Sequence, residues 1–141
     1  MDIKVSKSAE ETKELGKKFA NELKLGDLIL LKGDIGTGKT TFVQGMTEGL
    51  GGRKIPNSPS FTIMQEYETS FGMFRHLDLY RLDDPTLDVD RIGLPEILSD
   101  PQAITVIEWA ERLTVVPDKK NIEVNFNIGK NENERIIEFH L

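Results

Sequence analysis

The chain has no cysteine, which excludes a disulfide framework and any thiolate chemistry. It has two histidines, His76 and His140, which offer no zinc site of usual spacing. No apolar run is long enough to span a membrane and no secretory signal is present. The expectation is a cytoplasmic protein with no membrane attachment. Positive charge is in deficit: 18 basic against 24 acidic side chains leave a net charge of −6. A protein that grips a polyanion by itself carries a basic face, so any nucleic acid in its work is expected to be held by a partner. Low-complexity tracts and internal repeats are absent as well. What remains is 141 residues, 38% hydrophobic and 30% charged. That is the composition of a globular protein and the length of a single domain, 1–141, with a core of its own.

Against those absences stands one dense motif. Gly33-Asp34-Ile35-Gly36-Thr37-Gly38-Lys39-Thr40 fits the phosphate-binding pattern G-x-x-x-x-G-K-[ST], which chance supplies in well under about one chain of this length in a hundred. Its surroundings suit it. Leu28-Ile29-Leu30-Leu31 before it is a continuous apolar run of the kind found in buried parallel strands. Phe42, Val43, Met46 and Leu50 after it fall at helical spacing, so the segment predicts strand, loop and helix. Glycines let backbone N–H groups converge on an anion with no Cβ in the way. The helix that starts near Gly38 points its positive end at the same place. Lys39 adds a mobile charge for the β- and γ-phosphates, and Thr40 offers a hydroxyl to Mg²⁺. No N-K-x-D guanine signature is present, so the base preference leans to adenine. The segment Ser6 to Glu11 is the candidate for its pocket.

The rest of the chain reads as follows. Ser8-x-x-Glu11 is a capping box, and Leu15, Phe19 and Leu23 then repeat every four residues, which predicts an amphipathic helix. Gly49 to Ser60 has the composition of a loop. Ile63–Glu68 and Met73–Tyr80 read as two strands around Ser70-Phe71-Gly72, and a short helix is expected near Pro95 to Leu98. Ala103–Ile107 is a short β-branched run expected in the sheet's centre. Ile122, Val124, Phe126 and Ile128 alternate, and a second run, Arg135–Leu141, follows a turn at Lys130–Asn133; this predicts a terminal hairpin. The fold class is therefore α/β: a P-loop NTPase-like sheet with a parallel centre, antiparallel additions and helices on both faces.

Three residues outside the loop are candidates for chemistry. Glu108 ends the apolar strand, and ligands of open α/β sheets gather at the carboxyl ends of strands, where a carboxylate can hold the water shell of Mg²⁺ or orient a water. Asp78, in His76-Leu77-Asp78-Leu79-Tyr80-Arg81, shares a strand face with Phe74, His76 and Tyr80. It either serves the phosphates or pairs with Arg75 or Arg81. Thr62, in Asn57-Ser58-Pro59-Ser60-Phe61-Thr62, lies where a phosphate-sensing switch would sit. His76 reads more readily as a packed strand residue than as a catalytic one. Trp109 is expected at the rim of the site, and Arg112 faces either phosphate or solvent.

Taken together, these segments resemble the bacterial TsaE family, the small ATPases of tRNA threonylcarbamoyladenosine biosynthesis. The resemblance covers nearly the whole chain. It is carried by Gly33-Asp34-Ile35-Gly36-Thr37-Gly38-Lys39-Thr40-Thr41, Ser58-Pro59-Ser60-Phe61-Thr62, His76-Leu77-Asp78-Leu79-Tyr80-Arg81-Leu82 and Glu108-Trp109-Ala110-Glu111-Arg112. One departure is Ser60, where the family usually carries Thr. The resemblance implies that Gly33, Asp34, Gly36, Thr37, Gly38, Lys39, Thr40 and Thr41 cradle ATP or ADP, and that Thr40 and Glu108 hold Mg²⁺. It further implies that Thr62 belongs to a switch, that Asp78 supports hydrolysis, and that intrinsic hydrolysis is weak. The partners it implies are TsaB- and TsaD-like proteins, which transfer the threonylcarbamoyl group to adenosine 37 of tRNAs reading codons that begin with A; tRNA is then met only through them. The readings set against this are a small-molecule kinase and a nucleotide sensor that does not hydrolyse.

Overall fold

A computed structural model of the chain describes residues 2–34, 36–54, 64–70, 72–79, 94–113 and 121–140. Its centre is the run read as a buried strand. Leu28, Ile29, Leu30 and Leu31 are each 2% exposed or less, in strand β2 (Leu28–Lys32). A strand apolar on both faces must be covered on both, and β2 is flanked by parallel neighbours: β6 (Ala103–Glu108), buried along its whole length, and β7 (Ile122–Ile128).

Strand β5 (Gly72–Asp78) adds a fourth parallel member beside β6. The remaining strands are antiparallel additions. On one side β8 (Arg135–His140) completes the terminal hairpin with β7, and β1 (Asp2–Ser6) pairs with β8. On the other, β4 (Met64–Thr69) pairs with β5, and the two-residue β3 (Arg53–Lys54) pairs with β4. The sheet order is β1-β8-β7-β2-β6-β5-β4-β3, a parallel centre with antiparallel margins, as expected from the pattern.

Two strands escaped the pattern. β1 is an edge strand with Ile3 and Val5 about half exposed, so it lacks the apolar face that marks a strand in sequence. β3 lies inside the stretch read as loop and is too short to carry a period.

One face of the sheet is covered by α1 (Ala9–Ala20) and α2 (Lys39–Gly49). The Ser8 hydroxyl caps α1 by accepting from the Glu11 N–H at 3.1 Å, which satisfies an otherwise orphaned donor. Phe19 of α1 and Phe42 of α2 pack with Phe126 and Phe139 of the hairpin, ring centroids 5.3–6.0 Å apart. The two helices touch through glycines: a Cβ at Gly16 would strike the Phe42 carbonyl, and one at Gly45 the Lys13 carbonyl. The other face is covered by the short α3 (Leu94–Leu98) and a 3₁₀ turn at Ala110–Arg112, whose Leu98 and Ala110 pack on Leu28, Leu30, Leu77 and Ile107.

Among the described residues no helix is long and apolar enough to cross a membrane.

Candidate functional site

The register of the parallel strands assembles the site. Leu31 of β2, Glu108 of β6 and Asp78 of β5 lie in one cross-strand row. Directly paired residues share a face, so Glu108 and Asp78 stand on the α1/α2 face at the strands' carboxyl ends. The chain leaves β2 there into the phosphate loop, where Gly36 (φ 80°) and Gly38 (φ 98°) take left-handed backbone that a side chain would resist. Thr37 closes the loop, its hydroxyl donating to the Asp34 carbonyl at 2.6 Å. The Asp34 side chain is exposed, so this acid inside a phosphate loop stays in water. Gly38 is the N-cap residue of α2, whose free N–H groups and positive end therefore face the loop.

Lys39 and Thr40 open α2. Lys39 is 5% exposed; its ammonium donates to the Gly33 carbonyl and lies 3.7 Å from the centroid of Trp109. Burial holds that ammonium below its ordinary pKa, although Glu111, Glu108, Asp78 and Asp34 pull the other way. Thr40 donates its hydroxyl hydrogen to Glu108 Oε1 at 3.0 Å, and His76 Nε2 lies 2.5 Å from Glu108 Oε2. Burial pushes the Glu108 carboxyl up. The hydrogen bond and charge of His76, the Thr40 hydroxyl and the Lys39 charge outweigh it and hold the group below the usual carboxylate range. Glu111 accepts from the Gly33 N–H at 3.3 Å. The tetrapeptide 108–111 thus touches the loop at three places, with Trp109 in left-handed backbone (φ 61°) at its centre, a conformation that costs a non-glycine residue of order 1–2 kcal/mol.

Lys39, Thr40, Glu108 and Trp109 line one cavity of about 340 Å³, together with Gly36, Gly38, Thr41 and Asp78. Its far wall comes from two further segments, of which only the second was not joined to the loop by sequence reading. One is the start of α1, with Ser8, Ala9 and Thr12; the other is the β7–β8 turn, with Asn133 and Arg135. Arg135 donates to the Gly36 carbonyl at 3.0 Å. Ser8 and Ala9 fall within the segment expected to hold the base. Their signal in sequence was a helix cap, and nothing in the pattern ties residue 135 to residue 36.

The donor set suits a hard cation. Thr40 and Glu108 bring oxygens only. Among the described residues no three His, Cys, Asp or Glu side chains converge as a metal cage. Mg²⁺ is commonly held by one or two protein oxygens, water and substrate phosphate rather than by such a cage, so these residues fit it. Thr62 lies outside the described residues, as does the side chain of Arg112.

Comparison with known proteins follows the same line. The family model described as Threonylcarbamoyl adenosine biosynthesis protein TsaE matches residues 6–137. The tRNA threonylcarbamoyladenosine biosynthesis protein TsaE of Bacillus subtilis is 45% identical over 101 residues, 72% of this chain and 61% of that relative, so the match spans under two thirds of the relative's length. The protein of the same description from Rickettsia bellii is 38% identical over 122 residues, 86% of this chain and 83% of that one. A crystal structure of Bacillus subtilis YdiB superimposes with a TM-score of 0.78 at 31% identity, covering 98% of this chain and 83% of that one.

Proposed function

The chain belongs to the TsaE family of tRNA threonylcarbamoyladenosine biosynthesis, and from that membership and the phosphate-loop site we propose that it binds ATP with Mg²⁺ and hydrolyses it. In this reading it acts on a TsaB–TsaD-type partner pair that carries out the transfer to adenosine 37, and it does not form the modification itself. The observation that carries the reading is the convergence of Lys39, Thr40 and Glu108 at the mouth of one cavity, with Thr40 and Glu108 3.0 Å apart.

The roles follow from the chemistry of each group. The loop amides and the start of α2 bind the phosphates. Lys39 moves its charge from the Gly33 carbonyl to the β- and γ-phosphates, and stabilises the charge that develops as the γ-phosphate is attacked by water. Thr40 and Glu108 would hold Mg²⁺, which supplies charge neutralisation across the same phosphates. Glu108, Asp78 or Thr62 orients the attacking water. The base and ribose are assigned to the wall formed by Ser8, Ala9, Thr12, Asn133 and Arg135. With its acidic surface, the protein would meet tRNA only through its partners.

The test is Glu108→Ala. Nucleotide affinity should be retained while Mg²⁺-dependent hydrolysis is lost; hydrolysis equal to the parent's would remove Glu108 from the site. A phosphorylated metabolite from a panel of acceptors would favour a small-molecule kinase instead, and ATP left intact for hours beside the partner proteins would favour a sensor.

A further inference from the structure

His76 is the one ring nitrogen donor that the sheet brings to Glu108 among the described residues. On β5 it pairs with Val106, while Asp78 pairs with Glu108, so His76 stands on the Glu108 face one diagonal step away. A diagonal spans about 7–8 Å between backbones, within reach of two long side chains. The result is the 2.5 Å contact between Nε2 and Oε2, with the imidazole 14% and the carboxylate 4% exposed. An ionised carboxylate only accepts, so the hydrogen in this pair sits on Nε2. The other carboxylate oxygen, Oε1, accepts from Thr40. Glu108 is therefore held from both sides, and the plane of its carboxylate is set by one partner on β5 and one on α2.

We propose that His76 is a positioning residue: its Nε2–H occupies Glu108 Oε2, so that Glu108 offers the cation site Oε1 alone, beside the Thr40 hydroxyl. This rests on the ATPase reading above for its consequence, and on the contact itself for its geometry. A carboxylate free at Oε2 can turn away from the cation site, and re-ordering it when the cation binds weakens that binding. One tied at Oε2 cannot turn. Partners of this outer kind change metal affinity or activity by about 10–100-fold when removed. His76 touches neither phosphate nor metal in this role, and Thr40 and Glu108 keep theirs.

Two measurements separate this claim from the one it rests on. In nitrogen-15 histidine NMR of the protein without metal, His76 should show a protonated Nε2 with a slowly exchanging, downfield hydrogen that disappears in Glu108→Ala. A bare Nε2 in the parent would overturn the contact whatever the protein hydrolyses. With ADP bound, calorimetric Mg²⁺ titration should show affinity weakened about tenfold or more in His76→Ala and restored toward the parent in His76→Gln, whose amide N–H can reach Oε2. ADP affinity measured without Mg²⁺ should be the same in all three. Equal Mg²⁺ affinity in the parent and His76→Ala would overturn the proposal. So would a Gln variant as weak as the Ala variant while its ADP affinity and melting temperature match the parent's. Should the parent bind Mg²⁺·ADP but never hydrolyse ATP, the ATPase reading fails and the His76 result still stands.

Discussion

Lys39 shows how much of this site lies in single residues. Its ammonium is buried among four acids and against an indole, and burial still wins over their pull. A buried charge of this kind is maintained for its ligand rather than for the fold. Lys39→Met should therefore lower ATP affinity at least about tenfold, since a hydrogen bond to a charged group is worth about 1.5–3 kcal/mol. It should leave the melting temperature of the nucleotide-free protein equal or higher. The indole of Trp109, the chain's one tryptophan, reads the binding side directly, because ligand phosphate must draw the ammonium away from the ring. A large melting loss in Lys39→Met would contradict the account. Glu108 has the opposite sign. A carboxyl held low in the folded state contributes stability that is present above the ordinary carboxylate range and lost as pH falls through its folded value. As pH falls below the ordinary glutamate value of 4.5, the parent should lose more stability than Glu108→Gln, a difference readable from urea midpoints across pH.

At the scale of elements, the helix pair α1–α2 carries the clearest prediction. Helix propensity favours alanine over glycine by about 1 kcal/mol, so Gly45→Ala or Gly16→Ala would stabilise an isolated helix. Here each Cβ would run into a carbonyl of the other helix. Overpacking costs about 1–3 kcal/mol, and both substitutions should lower stability, visible as a reduced urea midpoint with an unchanged slope. Because α1 also supplies Ser8 and Thr12 to the cavity wall, Gly45→Ala should weaken nucleotide binding along with the fold. Unchanged stability would mean that the helices part without cost.

The same elements show what was legible in the sequence and what was not. The strand Leu28–Lys32, the loop and α2 carried a motif and a period that act over a few residues, so Lys39, Thr40 and the boundaries around them could be read directly. Glu108 and Asp78 could be placed at strand ends. Their alignment with each other and with Leu31 depends on the parallel register, which is a property of strands distant in sequence. The partnership of His76 with Glu108 was invisible for that reason, and its imidazole read instead as core. Arg135 met Gly36 only because a hairpin 99 positions on folds back along the loop. Nothing in the periodicity of α1 and α2 marked Gly16 and Gly45 as the points where the two helices touch. β1 carried no apolar face to betray it.

For the whole molecule, the acidic balance and the fold point the same way. A net charge of −6 disfavours a polyanion held by this surface alone. The described residues build one cavity around one phosphate loop, with the loop tied by the segment 108–111 at Gly33, Lys39 and Thr40. Under the proposed function, a loop so tied would pass its occupancy on to the segment 108–111, as a subunit that times its partners requires. Hydrolysis by the isolated chain should accordingly be slow, with partner contact completing the arrangement that positions water. The most direct measurement of this is ATP turnover by the purified chain alone and after addition of a TsaB–TsaD-type pair, at fixed Mg²⁺. The account predicts slow release of phosphate alone and a clear rise with the pair, lost in Glu108→Ala. Turnover unchanged by the pair would contradict it.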